Sequence, residues 1–116
     1  GQAGGHTVVA DRPEGRAGGQ GLGFNGAELL ALAIGGCFCN DMRYIAHRLE
    51  RPIASLSVEV ALHLDGDPIL ATGAEVTVNC VMADGSDPAL LVAEATATSM
   101  VANSLIRGLP VSVTPR

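Results

Sequence analysis

A chain of 116 residues, 47% hydrophobic but only 3% aromatic, is one domain with an aliphatic core, small enough to gain from dimerisation. A net charge of −5 with no basic cluster argues against nucleic acid or an anionic membrane as partner. All seven basic residues are arginines, which excludes lysine Schiff bases and a P-loop lysine.

Residues 1–5, Gly-Gln-Ala-Gly-Gly, read as a ragged start with nothing to pack. His6–Ala10 is a short strand candidate. Residues 12–24 are rich in glycine and carry Arg12, Glu14 and Arg16. That composition fits a linker first and a loop folded over a site second.

Residues 25–50 form the stretch around which the rest is organised. Asn25 is a good N-cap and Glu28 can reach back to it as a capping box. Arg51-Pro52 closes the far end, because the residue before a proline is pushed out of the α region. From Leu29 to Cys39 no side chain is polar, as in a helix covered by protein on every side. This apolar run is too short to cross a bilayer, so no membrane partner is expected. Gly35-Gly36 costs about 1 kcal/mol per glycine in mid-helix. We therefore expect close backbone approach there, at Gly36 in particular.

Cys37 and Cys39 follow, pointing to different faces. Two residues apart on a helix, their side chains diverge by about 200°, so they do not pair with each other. Small buried hydrophobe and reactive thiol are both open to Cys37 on residue type alone. Asp41 lies one turn on, where a like charge disfavours a thiolate, whereas Arg43 lies one turn from Cys39. Glu28 is roughly 13 Å before Cys37 along the axis and on the opposite face.

After the helix, residues 55–64 alternate, with Leu56, Val58, Val60, Leu62 and Leu64 on one face. Asp65-Gly-Asp-Pro68 is turn chemistry. A second alternating strand runs over 74–82 and puts Cys80 on its core face, as a structural cysteine. Asp87-Pro88 opens a second helix, predicted to run to Arg107 and stop at Gly108. Thr96, Ser99, Asn103 and Arg107 give it a polar stripe, turned either to solvent or to the thiols of the first helix. Pro110–Val113 is a closing strand. The order makes an α+β domain with helices packed on an antiparallel sheet.

His6, His47 and His63 have no metal-ligand spacing, so no metal or cofactor is expected. Three cysteines without framework spacing or a preceding signal pattern predict free thiols in a reducing, cytoplasmic setting.

The run Asn25-Gly-Ala-Glu28-Leu29-Leu30-Ala-Leu-Ala-Ile-Gly-Gly-Cys37 resembles the signature helix of the OsmC/Ohr family, which reads N/S-P-x-E-L-L-x-A-A-L-G-x-C. The strands, second helix and closing strand follow the family order over about residues 8–114. The resemblance implies an intertwined α+β homodimer with a long buried central helix on an antiparallel sheet. It also implies thiol-dependent reduction of small apolar organic hydroperoxides. Cys37 matches the peroxidatic cysteine, and Ser99, in Ser99-Met-Val-Ala-Asn-Ser-Leu105, stands where the resolving cysteine would be. Glu28 matches the glutamate of the broader OsmC-like branch, while Gly26 replaces the usual proline. The arginine that holds the thiolate comes from the family's N-terminal region, with Arg12 and Arg16 as candidates.

These matches make Cys37, Glu28 and Ser99 the candidate catalytic residues, and Cys39, Arg43, Asn103 and Arg16 the candidate pocket. With no in-chain resolving cysteine, an external thiol reductant would complete the cycle. The alternative is an OsmC fold that has lost peroxidase chemistry. It would bind or transform an apolar small molecule between the helices, using Ser99, Asn103 and Arg107.

Overall fold

The computed structural model describes residues 1–116. Two short strands, β1 (Gln2–Ala3) and β2 (His6–Thr7), pair antiparallel with Gln2 opposite Thr7 and Ala3 opposite His6. Gly4 and Gly5 join them with φ of 55° and 78°, the conformation of a two-residue hairpin turn that only glycine adopts without cost. The expected ragged start is thus a hairpin, its ends tied by bonds between Gly1 and Val8.

Residues 11–24 are not a linker. The Asp11 carboxylate accepts backbone N–H groups from Arg12 (2.7 Å), Gln20 (3.0 Å) and Leu22 (3.2 Å), cross-linking both arms of the loop. Backbone bonds from Phe24 N–H to Val9 O and from Asp11 N–H to Phe24 O close its neck. Glycine content signalled a tight path here, and one carboxylate organises it.

Helix α1 spans Gly26–Arg48. Its start is the predicted capping box: Glu28 N–H donates to Asn25 Oδ1 (2.9 Å) and Asn25 N–H to Glu28 Oε2 (3.1 Å). Its end is a Schellman motif, with Arg51 N–H bonded to Ala46 O (2.9 Å) and Glu50 N–H to His47 O (3.2 Å). Glu50 takes the left-handed position (φ 52°) that glycine usually fills, and Pro52 prevents the chain from re-entering the helix. Length and mean hydropathy of α1 would suit a membrane span, but it serves as a core helix. Ile34, Gly35, Phe38, Met42, Ile45 and Ala46 make one buried face. The opposite side is open within this chain, with Leu32 53% exposed, so the expected cover on every side is not supplied by one copy.

Strands β3 (Ile53–Asp65) and β4 (Leu70–Met82) pair as an antiparallel hairpin; the alternation fell short at both ends of β3 and at the start of β4. Helices α2 (Ala89–Thr98) and α3 (Met100–Arg107) stand where one helix was expected, bent by 49° at Ser99. Gly108 ends α3 as predicted, with φ 75°. The closing strand is absent: residues 109–116 join no ladder, and Val111 and Val113 are more than four-fifths exposed.

The residues fall into two compact units, 1–32 with 61–75 and 33–60 with 76–116, and α1, β3 and β4 run through both. The second holds the core. There Phe38, Met42, Ile45 and Ala46 of α1 pack with Met82, Leu91 and Ala95, flanked by Leu56, Val58, Val78 and Cys80.

Candidate functional site

Cys37 sits on α1 one residue before the core side chain Phe38, on the border between its buried and open faces, and is half-buried. Two polar groups meet its sulfur. The Ser99 hydroxyl donates to Sγ across 3.7 Å, joining positions 62 residues apart. The thiol in turn donates to Asp41 Oδ2, also at 3.7 Å, from the next turn of α1. Ser99 is completely buried, the one polar residue in the core, and this bond gives its hydroxyl a partner there.

The break between α2 and α3 is what aims Ser99 inward. Ser99 has φ −58° and ψ 117°, outside the helical region, and its side chain caps neither helix. Thr96 and Thr98 bond back to the carbonyls of Val92 and Glu94, a pattern that bends helices. The Asn103 side chain then donates to Thr96 O (3.2 Å) and Ser99 O (2.7 Å). It thereby satisfies a carbonyl that the break strips of its helical donor. Asn103, expected in the pocket, is a clamp on the kink. The polar stripe is therefore split: Ser99 faces the thiol, while Thr96 and Arg107 stay exposed.

The remaining candidates have other surroundings. Glu28 gives one carboxylate oxygen to the capping box, and Arg16 lies exposed in the loop with its backbone bonded to Pro13 and Gly19. Both belong to the first unit, whereas the Cys37 cluster is built from the second alone. Cys39 is half-buried and free, without a hydrogen-bond partner. Arg43 turns from it towards β3, donating to Ile53 O (3.4 Å). The thiol it influences is that of Cys80. Burial pushes the Cys80 thiol up from its ordinary value, and the Arg43 charge offsets part of that rise. Arg43 also lines an open groove of 540 Å³ with His47, Glu50, Arg51 and Ile53. Cys80 packs against the core on β4 as expected, near Met82 Sδ (3.9 Å).

Asp41 was legible only as an obstacle to a thiolate. Its spacing of four from Cys37 was the signal that the two side chains would meet. No three His, Cys, Asp or Glu side chains are grouped to hold a metal.

A family model described as OsmC-like protein matches residues 18–114. The chain belongs to the OsmC-like family. Two solved structures share the fold of this OsmC-like chain. An OsmC-like protein of unknown function from Vibrio cholerae is 17% identical, with a TM-score of 0.73 over 87% of this chain and 73% of that one. A protein from Legionella pneumophila, described as an organic hydroperoxide resistance protein OsmC and regulator of sulfide bond formation, is 22% identical. Its TM-score is 0.58 over 76% of this chain and 66% of its own. At these identities the likeness establishes the α+β OsmC fold and nothing finer. No curated protein matches the chain.

Proposed function

We propose that this OsmC-like chain reduces organic hydroperoxides through Cys37, with no resolving cysteine of its own. One observation carries the reading: a buried hydroxyl, Ser99, is spent on the thiol of Cys37, at the two positions that the family resemblance pairs as peroxidatic and resolving cysteines. Attack of sulfur on the distal peroxide oxygen leaves a sulfenic acid and an alcohol. Ser99 can hold that oxidised sulfur by a hydrogen bond but cannot form a disulfide with it. An external thiol in a reducing, cytoplasmic compartment returns Cys37 to the thiol.

The working unit is a homodimer. Leu32 on the open side of α1, and the alternating Val111 and Val113 outside any ladder, are apolar surface that a second copy would cover. A stable folded monomer at micromolar concentration in sedimentation would remove this part of the reading.

The central test is intact mass after treatment with cumene hydroperoxide, with and without a dimedone-type trap. One dimedone adduct per chain, lost in Cys37→Ser and kept in Cys39→Ser, is the expected result. Full reactivity in Cys37→Ser would end the reading. The absence of a second thiol at Ser99 favours one rival, an OsmC fold that binds or transforms an apolar small molecule without peroxide chemistry.

A further inference from the structure

Thiol attack on a hydroperoxide needs two proton movements, one off sulfur and one onto the departing alkoxide. The second is the harder to omit, because an alkoxide is a poor leaving group. Few groups around Cys37 can carry a proton. The hydrogen bond from Ser99 places that hydroxyl's own hydrogen on the sulfur. Arg43 is engaged at Ile53 O, Arg48 at Glu94 and Arg51 at Ser86 and the Asp87 carbonyl, and the Cys37 sulfur has hydrogen bonds with Ser99 and Asp41 and with no arginine or histidine. Asp41 differs from all of these. Its carboxylate forms no ion pair, is half-buried, and receives the thiol hydrogen at Oδ2.

We propose that Asp41 is a catalytic residue of the Cys37 reaction, carrying the thiol proton to the alkoxide leaving group. The inference rests on the hydroperoxide reading above and adds to it a residue that the family resemblance does not supply. As a sulfur lone pair attacks the distal oxygen, the S–H proton passes to Asp41 Oδ2. The O–O bond breaks, its electron pair leaves on the alkoxy oxygen, and protonated Asp41 returns the proton there. Sulfur is oxidised by two electrons to Cys37–SOH, the hydroperoxide is reduced to the alcohol, and Asp41 ends as the carboxylate it began as. Coupling the transfers also answers the electrostatic objection to a carboxylate in this place. A full thiolate and a carboxylate side by side repel each other, but in a coupled transfer the two charges are never present together. Ser99, donating to sulfur throughout, keeps the S–H aimed at Asp41.

Two reagents separate proton transfer from simple charge. Both reagents need the thiol deprotonated, which solvent can also do, but only cumene hydroperoxide expels an alkoxide that must be protonated, since iodide leaves unprotonated. Asp41→Asn keeps the side chain's shape and one acceptor oxygen but can neither take up nor give up a proton at neutral pH. It should react with cumene hydroperoxide about a hundredfold more slowly than the parent, the low end of the range for loss of a general acid–base. With iodoacetamide it should be as fast or faster, since a negative neighbour has gone. Asp41→Glu, whose longer carboxylate reaches the same turn, should recover part of the hydroperoxide rate. If Asp41→Asn does not fold, Asp41→Ser serves in its place. An unchanged or faster hydroperoxide reaction in the neutral variant makes Asp41 a mere repelling charge and overturns the proposal. Equal slowing with both reagents overturns it too, by making Asp41 structural. A parent that is inert to hydroperoxide yet alkylated by iodoacetamide defeats the peroxidase reading itself, which distinguishes that failure from the other two.

Discussion

The pair Gly35-Gly36 tests the packing of α1 directly, because the two residues share a sequence context and differ in surroundings. A Cβ on Gly35 would stand 3.1 Å from Val60 Cγ2 and 3.9 Å from Val58 Cγ1, whereas one on Gly36 meets nothing within 4 Å. Alanine in mid-helix is favoured over glycine by about 1 kcal/mol at either position. At Gly36 no atom of the same copy opposes that gain. For 116 residues, an unfolding entropy near 2.1 cal/mol/K per residue turns it into a rise in Tm of about 4 °C. At Gly35 the new methyl presses on a β-branched valine held in one rotamer on a strand, and overpacking of this kind costs about 1–3 kcal/mol. Gly35→Ala should therefore melt about 4–12 °C below Gly36→Ala by circular dichroism. This corrects the expectation that Gly36 is the point of close approach. Equal melting temperatures, or a Gly36→Ala variant that melts below Gly35→Ala, would refute the argument.

Glu50→Gly should stabilise the chain by about 0.5–1 kcal/mol in thermal unfolding, since glycine removes the cost of the left-handed residue that ends α1 and gives back part of it in the unfolded state. The Asp11 carboxyl is held below the usual carboxylate range by the N–H groups of Leu22 and Gln20. A carboxyl lowered on folding stabilises above its unfolded value and loses that as pH falls through the folded one. Protection of the amides of residues 12–22 against exchange, relative to the unfolded chain, should therefore fall only below about pH 4, and Asp11→Asn should lack it at pH 7. Ser99→Cys should form a disulfide with Cys37 on oxidation, seen as the loss of two hydrogens by intact mass, because side-chain contact between the two positions already exists.

Elements whose cause is local were readable from residues alone. The capping box needs only Asn25 and Glu28, three residues apart, and the structure has both of its bonds. Period-two alternation over 55–64 and 74–82 gave the β3–β4 hairpin, and it fell short only at the ends, where pairing outlasts the pattern. Features made by distant partners were not readable. The loop after Ala10 looked like a linker, because glycines are visible in sequence while the reach of one Asp11 carboxylate to Gln20 and Leu22 is not. The closing strand 110–113 has the right alternation and no ladder, since a strand exists only when an edge accepts it. Gly-Gly announced a close approach, but choosing between its two members required knowing where Val60 lies.

The site was half legible for the same reason. Cys37 and Ser99 were named from the family pattern, and Asp41 was visible at one helical turn, yet nothing local said that α2 and α3 would part at Ser99. An unbroken helix over 89–107 would keep Ser99 helical, with its hydroxyl free to back-bond to the carbonyl four residues earlier, as those of Thr96 and Thr98 do. The break removes that option, and Asn103 covers the Thr96 carbonyl that it exposes. The buried Ser99 hydroxyl then has the Cys37 sulfur as its partner. The kink and the chemistry of the thiol are thus joined at one residue. A change that straightens this corner alters what sulfur sees without touching Cys37 or its helix.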